Sequence, residues 1–218
     1  MTRLALLFDL DGTLIDSIQL LLECAEFAFA GRSRAPTRAQ WTAGIGTPLR
    51  TQLAEWTDTD ADIDALVDRY RVYQDANLER LTSAFPSVLD TLAWARTAGH
   101  ATGLVTSKGR IMTARSLAHV GLADAFHTIV TYEETARHKP LADPVLLALE
   151  RLGIAPSHAL YVGDSTHDMH AGNAAGVATA AAQWGPFSRA ELEATNPTYW
   201  MTKMSDLPAI VAMLGIHP

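Results

Sequence analysis

A chain of 218 residues, of which 48% are apolar, is long enough to bury the core of one domain, alone or carrying a smaller inserted one. Its net charge of −7 argues against general affinity for nucleic acid or for anionic membranes. Because no apolar run approaches membrane-spanning length and Cys24 has no second cysteine to pair with, we expect a cytoplasmic protein without disulfides.

The chain begins with an apolar run, Leu4 to Phe8, which predicts a strand buried on both faces of a parallel sheet. Asp9 and Asp11 follow it. Gly12 lets the backbone bend, so both carboxylates can meet at the carboxyl end of the strand, where α/β sheets bind ligands. Two acids this close repel each other unless a cation or a proton lies between them. Taken alone, the stretch is compatible with a metal or proton-transfer site and with a turn of solvated acids.

A block of helices follows, with no strand predicted between residues 17 and 81. Asp16 or Ser17 is placed to cap the first helix, whose apolar residues cover most of its circumference and therefore need partners on two sides. Cys24 lies within this apolar pattern, which predicts a buried hydrophobic residue rather than a nucleophile. Helices are predicted over residues 18–30, in a short stretch before the loop Gly44–Pro48, over residues 49–56 and over residues 60–81.

From residue 86 onward strands and helices alternate, which is typical of a parallel sheet with helices on both faces. We therefore predict an α/β fold, with a Rossmann-like core of residues 1–15 and 83–218 and an inserted all-helical cap of residues 16–82. The tail is expected to add a helix, a short edge segment and a last helix. Strands are predicted over residues 101–106, 127–130, 159–162 and 177–181, and helices over residues 86–98, 110–120, 142–152 and 167–175.

Polar residues stand at three predicted strand ends after the helical block. Thr106 and Ser107 can hydrogen-bond a phosphate oxygen or cap the next helix. Lys139 can act as a fixed charge on an anion, or lie on the surface before a helix. Asp164 and Asp168 follow a buried strand and a glycine, so they form a second acid pair that leaves a strand end. Their order and their placement at strand ends indicate a shared site.

Together these residues resemble the motifs of the haloacid dehalogenase superfamily of phosphotransferases. The resemblance covers nearly the whole chain, and the helical block stands where that family carries a small cap. The run from residue 138 to residue 185 is similar to the branch that contains phosphoglycolate phosphatases and related pyrophosphatases. The four motifs are Asp9-Leu10-Asp11-Gly12-Thr13, Thr106 or Ser107, Lys139, and Gly163-Asp164-Ser165-Thr166-His167-Asp168.

The resemblance implies a reaction centred on Asp9. Asp9 would attack the substrate phosphorus and form an aspartyl phosphate, while Asp11 would protonate the leaving oxygen and then activate water. Mg²⁺ would be held by the Asp9 side chain, the Asp11 backbone carbonyl and Asp164, since magnesium prefers oxygen ligands. The resemblance also places the strand of Asp9 between the strands that precede Thr106 and Asp164, with the chain crossing over the sheet between its third and fourth strands.

The other motif residues are implied to bind the phosphate. Lys139 would neutralise both the nucleophile and the phosphate, with Asp168 orienting it. Thr106 and the backbone amide of Ser107 would bind phosphate oxygens. His167 lies among these residues at a predicted helix start, and we expect it to face solvent or the cap rather than to bind zinc.

Substrate selection is expected to come from the cap. The glycine-rich loop Gly44–Pro48 resembles the loop by which caps of this kind reach the active site. Arg50, just beyond that loop, is placed to bind a substrate carboxylate in bidentate fashion, and the alternative is a solvated helix residue.

The resemblance therefore implies a Mg²⁺-dependent phosphatase of a small phosphorylated metabolite similar to 2-phosphoglycolate. The protein is expected to be a monomer or a homodimer, without nucleic-acid or membrane partners. Two alternatives stay open. One is an inorganic pyrophosphatase of the same branch, and the other is a non-catalytic binding module that retains the fold.

Overall fold

The structure, a computed structural model, describes residues 3–214 and has a six-stranded parallel sheet at its centre. The strands are β1 (Ala5–Phe8), β2 (Ile15–Asp16), β3 (Ser83–Ala84), β4 (Ala101–Val105), β5 (Thr128–Val130), β6 (Ala159–Gly163), β7 (Ala178–Ala182) and β8 (Tyr199–Met201). The helices are α1 (Ile18–Phe29), α2 (Arg38–Ala43), α3 (Leu49–Ala54), α4 (Asp60–Asn77), α5 (Val88–Thr97), α6 (Arg110–His119), α7 (Asp143–Leu152), α8 (Thr166–Ala174), α9 (Arg189–Glu193) and α10 (Leu207–Leu214).

Helices cover both faces of the sheet, so the predicted α/β fold is confirmed. Along β1, Leu6 and Phe8 pack into one apolar cluster with residues of α5, α6 and α10, whereas Ala5 and Leu7 pack into another with residues of α7 and α8. Successive side chains of a strand point to opposite faces, and here both faces are buried, which explains the unbroken apolar run. Among residues 3–214, no helix has the length and apolar character that a membrane crossing requires.

The strand order is β5-β4-β1-β6-β7-β8, with β1 hydrogen-bonded between β4 and β6 as the resemblance implies. The chain leaves the β5 edge and crosses over the sheet to β6, so the strand order reverses beside β1. Ligands of doubly wound sheets bind in the crevice that this reversal leaves at the carboxyl ends of the strands. The fold therefore brings the residues that follow β1, β4 and β6 to one place.

Helices α1 to α4, referred to here as the helical block, have an apolar cluster of their own. The cluster includes Leu20, Trp41, Leu53 and Leu66, and α1 packs mainly against α4. The predicted helix over residues 60–81 ends earlier, at Asn77, whose side chain donates to the backbone carbonyl of Tyr73. Such a side-chain bond to the backbone competes with regular helix geometry.

A two-stranded antiparallel ladder, which the sequence did not predict, joins the two ends of the helical block. Ile15 pairs with Ala84 and Asp16 pairs with Ser83. Strands of two residues are too short to show an alternating pattern. This ladder holds together the two chain segments that lead into and out of the helical block.

Cys24 is buried in the helical block, as predicted. Burial raises the pKa of its thiol to about 12, so almost no thiolate forms near neutral pH. We expect the native protein to resist a thiol reagent such as DTNB at about pH 8 and to react at one thiol in concentrated guanidinium chloride. Stoichiometric labelling of the native protein within minutes would contradict this placement.

Candidate active site

The candidate site lies where β1, β4 and β6 end. Asp9, Thr106 and Asp164 follow these strands directly, and all three side chains are buried. A cavity of about 310 Å³ extends from this edge of the sheet to the helical block. The cavity is lined by several of the predicted site residues, among them Asp9, Asp11, Thr106 and Ser107. The structure therefore brings the predicted nucleophile and the predicted phosphate-binding residues together.

Lys139 is buried against Asp9 and Asp168, the two acids that it was predicted to contact. Its Nζ lies 2.8 Å from Asp9 Oδ1 and 2.7 Å from Asp168 Oδ1. The prediction that Lys139 stands at a strand end is wrong, because β5 ends at Val130 and Lys139 lies in the long loop before α7. That loop returns from the sheet edge toward β1, which buries the ammonium. The alternative of a surface lysine is therefore wrong as well.

The charges at this site do not balance within the described residues. Burial raises the pKa of Asp9 to about 7, although Lys139 lowers it, and burial also raises the pKa of Asp164 well above its usual range. Burial lowers the pKa of Lys139, but its contacts with Asp168 and Asp9 outweigh this and raise the pKa overall. One ammonium thus faces three buried carboxylates, so a further positive charge would stabilise the site.

The oxygen atoms of this acid cluster can accommodate a divalent cation. One carboxylate oxygen of Asp9, one of Asp164 and one of Asp168 lie within 4.8 Å of one another. Asp164 Oδ1 accepts the hydroxyl of Thr13 at 2.5 Å, whereas Asp164 Oδ2 is buried and has no hydrogen-bond partner in the described part of the chain. A buried unpaired oxygen is costly without a ligand, and carboxylate oxygens are the donors that Mg²⁺ prefers.

Asp168 holds Lys139 instead of offering free oxygens. Its Oδ1 accepts from Lys139 and from the Tyr161 hydroxyl at 2.9 Å, and its Oδ2 accepts the hydroxyl of Ser165 at 2.6 Å. Burial raises the pKa of Asp168, but these contacts, those with Lys139 first, outweigh burial and lower the pKa overall. The arrangement matches the predicted role of Asp168 as the residue that orients Lys139.

Two glycines make room for the Asp164 carboxylate. A Cβ atom at Gly12 would lie 2.4 Å from Asp164 Oδ2, and one at Gly185 would lie 2.3 Å from Asp164 Cβ. Gly12 also has a φ of +87°, a conformation that side chains rarely adopt. The turn after β1 thus brings the backbone of the first motif directly against the acid of the fourth.

Thr106 and Ser107 do not cap the following helix, so the capping alternative is wrong. Helix α6 begins at Arg110, whose backbone N–H donates to both carboxylate oxygens of Glu133. The Thr106 hydroxyl accepts the backbone N–H of Lys108, and the Ser107 backbone N–H has no hydrogen bond within the described residues. That N–H is therefore available to a ligand.

The family of the chain follows from comparison with known proteins. A family model described as haloacid dehalogenase-like hydrolase matches residues 6–182. The chain belongs to this family. A relative named Pyrophosphatase PpaX, from Bacillus velezensis, is 36% identical over 93% of this chain and 94% of its own length. The prediction of a haloacid dehalogenase-type enzyme is confirmed.

Solved structures of haloacid dehalogenase-like proteins share the fold. One from Streptococcus pneumoniae, described as a hydrolase of this family, is 25% identical, covers 95% of this chain and 98% of its own, and has a TM-score of 0.81. Another, described as a predicted phosphoglycolate phosphatase from Haemophilus somnus, is 23% identical, covers 96% and 99%, and has a TM-score of 0.85.

In this haloacid dehalogenase-like hydrolase, Asp11 is held by two residues that the predicted site did not include. Asp11 Oδ1 accepts from Lys108 Nζ at 2.5 Å and from the Ser17 hydroxyl at 2.6 Å. Ser17 occupies the N-cap position of α1 but makes no capping hydrogen bond with its side chain, so the predicted capping is wrong. The signal for Lys108 was its place directly after Ser107, as one of only three lysines in the chain.

The loop Gly44–Pro48 contacts the motif residues of the core. The Ser107 hydroxyl donates to the backbone carbonyl of Gly46 at 2.6 Å. A Cβ at Gly46 would lie 2.8 Å from Ser165 Oγ and 3.3 Å from His167 Cδ2, so the loop packs closely there. His167 therefore faces the helical block, and the acid cluster found in the described residues contains no histidine.

Arg50 lines the cavity but is not free. Its guanidinium forms an ion pair with Asp64 of α4 and is partly exposed. The predicted contact between Arg50 and a substrate carboxylate would require this pair to share or release the guanidinium.

Proposed function

We propose that this hydrolase is a Mg²⁺-dependent phosphatase that cleaves a small phosphate monoester, such as 2-phosphoglycolate, through an aspartyl-phosphate intermediate, with the helical block as its cap. The observation that carries the proposal is the placement of Asp9 at the cavity, in contact with Lys139 and close to the Asp164 carboxylate, which has one unpaired oxygen within the described residues. A carboxylate can attack a phosphoryl dianion only when opposing charge surrounds both.

The residues of the chain have separable roles in this proposal. Asp9 forms a bond to phosphorus while the bond from phosphorus to the leaving oxygen breaks. Lys139, fixed by Asp168, offsets negative charge on the nucleophile and the phosphoryl group. The free N–H of Ser107 and the hydroxyl of Thr106 donate to phosphoryl oxygens. Mg²⁺ held by Asp9, Asp164 and the Asp11 backbone carbonyl would supply the remaining positive charge.

Asp11 is proposed to donate a proton to the leaving oxygen and later to accept one from the attacking water. That water bonds to phosphorus while the bond from phosphorus to the Asp9 oxygen breaks, which releases phosphate and restores Asp9. Asp11→Asn should lower kcat for an alkyl phosphate by about 10²- to 10⁴-fold, the usual contribution of acid–base catalysis. The loss should be much smaller for p-nitrophenyl phosphate, whose leaving group needs no proton. Parallel kcat measurements on the two esters test this, and equal losses would remove the role of Asp11 as the leaving-group acid.

Inorganic pyrophosphate is the second candidate substrate, since relatives such as the Bacillus velezensis protein carry the name pyrophosphatase. The chemistry at Asp9 would be the same, with phosphate as the leaving group. A binding module without turnover is less compatible with the site, because Asp9, Lys139, Asp164 and Asp168 retain the contacts that catalysis needs.

Turnover of p-nitrophenyl phosphate tests the proposed function. We expect hydrolysis with Mg²⁺, loss of activity with EDTA, and recovery when Mg²⁺ is restored. Folded protein that gives no turnover of p-nitrophenyl phosphate, phosphoglycolate or pyrophosphate at saturating Mg²⁺ would contradict the proposal and favour a binding module.

A further inference from the structure

One face of α4 forms the wall of the cavity that lies opposite the reacting groups. Val67, Arg71 and Gln74 line the cavity at the three- and four-residue spacing of a single helix face. Much of the remaining wall is apolar, with Leu21, Trp41, Leu49, Met112 and Tyr132. This wall is mainly apolar, whereas the cluster at the strand ends consists of aspartates.

Three cationic side chains line the cavity, and two of them have acidic partners. Lys108 is bound by Asp11, and Arg50 is bound by Asp64. Arg71 forms no ion pair and no side-chain hydrogen bond within residues 3–214, and it is exposed at the cavity. It is therefore the cation that can bind an incoming anion without first losing a partner.

Gln74 provides a second polar group that is open to a ligand in the cavity. The residue is only 5% exposed and lines the cavity, yet its side-chain amide makes no hydrogen bond in the described part of the chain. The amide atoms are not among the described side-chain atoms that are fully buried without a partner, so they are open to the cavity and an incoming ligand can bind to them. Gln52 lines the same cavity and is equally buried, but its amide donates to the Trp41 carbonyl.

Building on the proposed function, we infer that Arg71 and Gln74 bind the leaving group of the substrate. The chemistry they select is an oxyanion, such as a carboxylate, carried on an organic body that packs against the apolar wall. The Arg71 guanidinium and the Gln74 amide lie one turn apart and can donate to the same oxyanion. Inorganic pyrophosphate has no apolar part to bury, so the cavity favours an organic monoester.

Two matched pairs of esters test this inference. In each pair one ester carries a carboxylate and the other does not: 2-phosphoglycolate with ethyl phosphate, and 4-carboxyphenyl phosphate with phenyl phosphate. The distance between the phosphate and the carboxylate is shorter in the first pair than in the second, so the two pairs test different distances across the cavity. The quantity measured is the ratio of kcat/KM for the charged ester to that for the neutral one, compared between protein variants so that differences between leaving groups cancel.

The wild-type protein should prefer the carboxylate in at least one pair. Arg71→Ala should lower that ratio by about 10-fold, the lower end for a charge-assisted hydrogen bond, because Arg71 is partly solvated. Gln74→Leu should lower it by about 3-fold, and Gln74→Glu by at least 10-fold because a carboxylate there repels the ligand. Arg80→Ala is the control, since it removes an arginine charge just beyond α4 without touching the cavity.

Three results would overturn the inference. They are a wild-type ratio near one in both pairs, an unchanged ratio in Arg71→Ala, and a higher kcat/KM for pyrophosphate than for all four esters. Failure of the proposed function is distinguishable, because it appears as no turnover of any ester, p-nitrophenyl phosphate included. In that case calorimetric titration with both carboxylate esters decides the inference, comparing Asp9→Asn protein with the double variant Asp9→Asn/Arg71→Ala. An affinity about 10-fold weaker in the double variant supports the inference, and equal affinity of the two proteins overturns it.

Discussion

Replacing Asp9 with asparagine is expected to lower kcat by at least about 10⁴-fold, as for other covalent nucleophiles. The substitution keeps the size of the side chain but removes the negative charge that would attack phosphorus. The new amide would still lie beside Lys139, so binding of the phosphate should change far less than turnover. Steady-state kinetics with p-nitrophenyl phosphate at saturating Mg²⁺ measures the loss.

Stability provides the control for Asp9→Asn. Because one of three mutually repelling buried carboxylates is removed, we expect a free energy of unfolding in EDTA that is equal to or higher than that of the wild type. Urea titration followed by circular dichroism measures it. A folded variant that keeps a tenth of the wild-type kcat would exclude Asp9 as the nucleophile.

The carboxyl ends of the strands could be predicted because their signal is local. An apolar run that ends at acids with a glycine close by locates Asp9 and Asp164 within a few residues, and parallel strands bring such ends together whatever lies between them. The cap position of Ser17 shows the limit of local signals. A serine at a helix start normally accepts a backbone N–H, but here the nearby Asp11 carboxylate is a stronger partner for its hydroxyl.

Contacts across the cavity could not be predicted, because they depend on how distant segments pack. Lys139 reaches Asp9 through an irregular loop that has no periodicity to mark its path. Arg50 was predicted to face a substrate, but its partner Asp64 lies on a different helix, and nothing in the local sequence pairs them. The position of Gln74 at the cavity could not be predicted either, since a polar residue within a helical pattern is usually solvated.

Lys139→Met is the second substitution for which we expect a large effect. Methionine has a similar length but no charge. Among the described residues, Lys139 carries the only ammonium that contacts Asp9 and Asp168, and the substitution removes it. Removing one partner of a buried ion pair costs about 3–5 kcal/mol, a large share of the stability of an ordinary domain. Turnover should fall by at least about 10²- to 10³-fold, the loss that follows when one fixed group that stabilises transition-state charge is removed.

The double variant Asp9→Asn/Lys139→Met separates charge from packing. If repulsion between Asp9 and Asp168 causes the instability of Lys139→Met, removing the Asp9 charge should restore part of the free energy of unfolding measured in EDTA. Loss of packing alone would leave the double variant as unstable as Lys139→Met. A Lys139→Met protein as stable as the wild type would show that the ammonium is not the counter-charge of this acid cluster. The cluster would then depend on the proposed Mg²⁺ for its positive charge, and Lys139 would keep only a role in binding the phosphate.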